Sequence, residues 1–139
     1  MKQIGFGIFT LGVTYALAQD PATTDGDKYK VIMENEKVRV LEYSDKPGDK
    51  THPHHHPDFV LYALEPFKRR LTFPNGKQME KEFKKGDVIW MKDQIHIGEN
   101  IGKTETHVII VELKQKDAKP DSAMGHAVDR GSNKTENKK

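Results

Sequence analysis

Four histidines crowd into five positions, His52, His54, His55 and His56, within the stretch 47–65, PGDKTHPHHHPDFVLYALE. Pro57 lacks an N–H and has a fixed φ, so no helix continues through them. The run Phe59, Val60, Leu61, Tyr62 is aromatic and aliphatic, as a strand prefers. An extended backbone sends alternate side chains to opposite faces, so His54 and His56 project together while His55 points away. Two imidazoles on one face make half of a metal site, placed where a loop enters a strand.

A third ligand has to come from elsewhere, and His96 in GDVIWMKDQIHIGEN, residues 86–100, is the candidate. Gly86-Asp87 reads as a turn, residues 88–91 as a buried strand, residues 92–94 as a short loop, and His96 as the start of the next strand.

The two stretches resemble the paired motifs of the cupin superfamily, the small β-barrels related to germin-like proteins. In the first motif a glycine is followed, after five residues, by His-x-His and then an acid; Gly48 and His54-His55-His56 reproduce that opening. In the second, a glycine leads through a proline to a histidine followed four positions later by asparagine. Gly86, His96 and Asn100 reproduce its frame with one residue fewer between glycine and histidine. The chain departs from the pattern where the acid is expected, because those positions hold Val60 and Leu61, and the nearest acid, Asp58, comes two positions early. The second motif also lacks its proline, and Glu65-Pro66 replaces a glycine of the first. An alternative frame, His52-Pro53-His54 with Asp58, keeps the acid spacing but shortens the gap from Gly48; His54 belongs to both. The resemblance covers residues 38–113 and implies an all-β, antiparallel double-stranded β-helix, the cupin jelly-roll barrel.

The rest of the chain agrees with short strands. Residues 29–43 alternate around a turn at Glu34-Asn35-Glu36, Pro74-Asn75-Gly76 marks a hairpin, and THVIIVEL near the end is the longest apolar strand and the expected centre of a sheet. With no long helical period, an antiparallel sandwich or barrel is expected, formed by a domain over residues 29–113. Residues 1–18 have the charged start, apolar middle and Ala16-Leu17-Ala18 end of a signal peptide, so cleavage after Ala18 and a secreted or periplasmic location are expected, with no stable membrane insertion. Residues 20–28 read as a flexible lead-in. Residues 114–139 read as a disordered polar tail with seven basic and four acidic residues, which leaves the remainder at −1 and implies no groove for nucleic acid. The ordered part is small enough that a homodimer is expected.

With no cysteine, any metal is held by nitrogen and oxygen, so one divalent Fe, Mn, Ni, Zn or Cu ion is the expected cofactor. The site is His54, His56 and His96, with Asp58 as a fourth ligand, a brace on one imidazole, or a turn residue. His52 and His55 are read as outer or surface residues, His107 as an ordinary strand histidine, Asn100 as a turn brace, and Glu99 as another source of a carboxylate. Tyr62 and Trp90 are the expected lining of a ligand pocket. No phosphate loop, serine elbow or CxxC pair offers a rival chemistry. The resemblance implies a small-molecule ligand or substrate and two classes of function. One is a metal-dependent oxygenase, isomerase or lyase acting on a small oxygenated acid or sugar; the other is a non-enzymatic protein that binds metal or a small ligand.

Overall fold

A computed structural model describes residues 20–114. The expected signal peptide and the polar tail beyond Lys114 lie outside the described residues. Nine strands follow one short helix, α1 (Pro21–Thr24): β1 (Tyr29–Glu34), β2 (Val38–Asp45), β3 (His54–His56), β4 (Phe59–Ala63), β5 (Phe67–Thr72), β6 (Gln78–Phe83), β7 (Val88–Met91), β8 (Gln94–Asn100) and β9 (Thr106–Leu113). Five strands pair in the order β1-β2-β9-β4-β7 and four in the order β3-β8-β5-β6. Every pairing is antiparallel, which makes the all-β double-stranded β-helix that was expected.

Period-two alternation decides what each strand buries. On β9, Thr106, Val108, Ile110 and Glu112 turn inward while His107, Ile109, Val111 and Leu113 turn outward. As expected, β9 is the middle strand of its sheet, flanked by β2 and β4. The inward residues of the two sheets meet in a core of Tyr29, Leu41, Tyr43, Phe59, Ala63, Phe67, Phe83, Val108 and Ile110. Burying such side chains stabilises the barrel by about 1.5–3 kcal/mol for each large apolar residue.

The chain changes sheet within two residues at two places. Pro57 cannot donate to the β3–β8 ladder, so the strand stops there and resumes as β4 in the other sheet. Asp58 holds this corner, its Oδ1 accepting from the Asp93 N–H at 2.7 Å, and Lys92-Asp93 forms the second corner between β7 and β8. Gly48 and Gly86 have φ values of 87° and 86°, conformations that a Cβ disfavours, which gives a physical reason for glycine at both frame positions.

Two expectations are corrected. Residues 20–28 are not a loose lead-in: Asp20 accepts from the Ala22 N–H at 2.8 Å as the N-cap of α1, Pro21 is buried, and buried Asp25 accepts from the His52 backbone N–H at 3.1 Å. Polarity suggested solvation, but these carboxylates are anchors for buried donors. Strand β7 is not a buried strand either, because it is the edge of its sheet and only Ile89 and Met91 turn inward.

Candidate metal centre

Strands β3 and β8 run side by side, with His54 directly opposite His96. His56 lies two residues along β3 and therefore on the same face, so all three imidazoles enter the barrel while His55 leaves it. One ring nitrogen from each lies within 4.8 Å of the others. Three points that close share a centre no more than about 2.8 Å from each, so a small ring rotation reaches the ~2.0–2.1 Å of a metal–imidazole bond. His54, His56 and His96 are 0, 1 and 5 % exposed, so they are interior side chains and not part of a solvent-exposed histidine run.

Hydrogen bonds fix which nitrogen is free. The Nδ1 of His54 lies 2.8 Å from the His52 carbonyl oxygen, which can only accept, so Nδ1 carries the proton and Nε2 the lone pair. His56 Nδ1 is 2.5 Å from Glu112 Oε1, so it too donates and leaves Nε2 free. His96 Nδ1 is buried with no partner among the described residues. Burial, followed by repulsion from His56, pushes the His54 imidazole down to about 4, and burial with repulsion from His56 and His54 holds His96 well below its ordinary value. Both are neutral at physiological pH. Two imidazoles of fixed tautomer and a third with an orphaned buried nitrogen are a donor set that fits a divalent transition ion.

The carboxylate behind the site is Glu112 on β9. Burial alone would raise its carboxyl, but hydrogen bonds from His56 and Arg39 outweigh that and hold it below the ordinary value. Arg39 Nε donates to Glu112 Oε2 at 2.7 Å, and its Nη1 donates to Asp20, the cap of α1. On the other side Arg69 is buried in the barrel, donating to Asp45 at 2.8 Å and to the Tyr43 hydroxyl at 2.8 Å. A Cβ on Gly98 would meet the Arg69 guanidinium at 2.3 Å, so glycine there makes room for it.

Beside the histidines is a cavity of about 50 Å³, room for a few waters or a small ligand. His56, His96, Arg69 and Thr106 give it polar points, Lys81 stands at its β6 side, and the remaining lining is aromatic and aliphatic, including Phe59, Leu61, Phe67, Ile89 and Met91. The Thr106 hydroxyl is buried and has no partner among the described residues.

The remaining sequence candidates separate from this site. Asp58 is not brought to the histidines, because it caps the β3–β4 corner. Tyr62 and Trp90 do not line the cavity: they occupy the outward parity of β4 and β7 and are 44 and 47 % exposed. Aromatic character alone had no parity information. Glu99 lies on the outward side of β8, 3.5 Å from Arg70. His52 and His55 pair with Asp25 and Asp93, and His107 with Glu42. Asn100 braces the following turn through Thr104 and Gly102. Glu112, Arg69 and Tyr29 were missed by sequence, although Glu112 and Arg69 share parity with Ile110 and Phe67, and a charge on the core face of a strand was the available signal.

Two antiparallel sheets closed around an interior histidine cluster define a double-stranded β-helix protein. The described residues have the fold of a cupin domain. The chain is similar to a cupin domain from Bordetella pertussis Tohama I, at 26 % identity and a TM-score of 0.58 over 63 % of this chain and 92 % of that one. It also shares the fold of an RmlC-like cupin family protein from Methanocaldococcus jannaschii, at 14 % identity and a TM-score of 0.50 over 61 % of this chain and 77 % of that one. No protein-family model and no curated protein sequence matches it.

Proposed function

We propose that the chain is a metal-dependent cupin enzyme acting on a small oxygenated acid, with His54, His56 and His96 holding one divalent transition ion. The observation that carries this is the burial of three converging imidazoles, two of them held neutral, beside an apolar cavity. A divalent ion held there would supply Lewis acidity toward a substrate oxygen. The chain's own residues do the rest. Glu112 and the His52 carbonyl orient the rings, the aromatic and aliphatic wall excludes water, and the unpartnered Thr106 hydroxyl and Arg69 offer donors to a bound oxygen. A sugar needs many polar partners and this lining has few, so an acid with an apolar body fits better.

The non-enzymatic alternative, capture of metal or a small ligand, is favoured by the histidine-rich approach of His52 and His55. Metal-free protein refolded with Fe, Mn, Ni, Zn or Cu separates the two. One ion per chain that still exchanges an added small carboxylate supports catalysis, and one ion that admits no further ligand supports binding or storage. His96→Ala should lose the stoichiometric ion; unchanged stoichiometry would remove the proposed site.

We also propose a homodimer through the outer face of the five-stranded sheet. Met33, Val40, Val111, Val60 and Trp90 are successive cross-strand neighbours there, forming an apolar row over all five strands. On the same face Glu42 and His107 pair at 2.8 Å, and exposed Lys30 lies across from Glu42 on β1. An apolar row of this kind is self-complementary, which suits a twofold contact with a second copy.

A further inference from the structure

Tyr29, at the start of β1, is a buried polar side chain that the three-histidine centre leaves without a role. It is 4 % exposed and lines the same cavity as His56 and His96. Its ring centroid is 5.3 Å from that of His54 and 5.8 Å from that of His56. Its hydroxyl lies 3.1 Å from His54 Nε2 and, with the ring proton on Nδ1, donates a hydrogen bond to the Nε2 lone pair that a metal would take.

That distance is the one expected of two ligands on one ion. Donors each ~2.0–2.1 Å from a metal and at about 90–100° to one another are about 2.9–3.2 Å apart. The other acidic groups are engaged. Asp58 is held by the Asp93 N–H, and the two oxygens of Glu112 accept from His56 and Arg39. The Arg69 guanidinium lies 4.7 Å from the centre of the Tyr43 ring, which is itself 4.3 Å from the Tyr29 ring, so a positive charge faces this corner of the barrel.

We propose that Tyr29 is the fourth protein ligand of the centre, its phenolic oxygen binding beside His54 Nε2 in place of the acid that the motif's usual position lacks. The inference rests on the metal-site reading above. When the oxygen binds, the O–H bond breaks, the electron pair stays on oxygen as the metal–oxygen bond forms, and the proton is released to solvent. Three neutral imidazoles and one phenolate would hold a divalent ion and offset part of its charge, and the ion would supply a binding point for an oxygen of the substrate.

The test uses the full chain loaded with Fe(II) and then oxidised to Fe(III), in wild type and Tyr29→Phe. A visible phenolate-to-iron charge-transfer band is expected in wild type, with phenolate modes in its resonance Raman spectrum, a measurement that needs no variant. The band should vanish in Tyr29→Phe, whose Fe(II) affinity should fall by at least the roughly tenfold that loss of even an outer partner costs. Wild type that binds one ion per chain without the band would overturn the ligand assignment and leave the histidine site standing. Tighter metal binding by Tyr29→Phe would also overturn it, because the hydroxyl would then be a competitor for His54. Wild type that binds no ion would sink the histidine site itself and this inference with it.

Discussion

His56 owes its orientation to a residue 56 positions away in sequence. Glu112 accepts its Nδ1 proton and is itself clamped by Arg39, so a charged carboxylate persists in a dry interior because two donors face it. Glu112→Gln keeps the shape but not the charge, and metal affinity measured by calorimetric titration should fall about 10–100-fold, the range for partners behind a ligand. The neutral imidazoles also set a pH dependence. The folded His54 resists protonation down to about 4, whereas an unfolded histidine takes a proton near 6.5, and His96 is shifted in the same direction. The metal-free protein therefore has its full stability above pH 6.5 and loses it as pH falls toward 4, by about 1.4 kcal/mol per pH unit for each excluded proton. Urea midpoints at pH 7, 6 and 5 should fall in that order, and flat midpoints would contradict neutral burial of the rings. Alternation made His54 and His56 legible as a pair from the sequence. Glu112 was not, because a strand's parity gives the face of a residue but not its partner on a distant strand.

At the scale of elements, Pro57 separates β3 from β4 and so puts the ligand histidines in one sheet and Phe59 and Leu61 of the cavity wall in the other. The sequence placed the histidine pair where a loop enters a strand; a proline marks where a ladder stops but not which sheet takes the next strand. The short helix α1 ties back to the site, since Asp20 caps it with one oxygen and binds Arg39 with the other. Asp20→Ala should cost about 1–2 kcal/mol from the lost cap, read as a lower urea midpoint. It should also weaken metal binding through Arg39 and Glu112, by less than Glu112→Gln does. Equal stability of this variant and wild type would show that α1 does not brace the barrel.

For the whole molecule, the double-stranded β-helix was legible because glycine turns, short apolar strands and two spaced histidine motifs all pointed the same way. The cavity lining was not, since Tyr62 and Trp90 differ from Leu61 and Ile89 only in which way the pleat turns them. Their exposure now belongs to the outer apolar row, and Trp90→Lys should convert a dimer to a monomer in sedimentation equilibrium while leaving metal stoichiometry unchanged. A wild-type monomer across the concentration range would remove that interface. The central claim is that imidazoles from β3 and β8 share one ion inside the barrel. Crystals of metal-loaded protein, measured at the metal's absorption edge, test it most directly. A single anomalous peak within about 2.2 Å of His54, His56 and His96 nitrogens is expected. A peak on the exposed His52 or His55, with the interior empty, would contradict it.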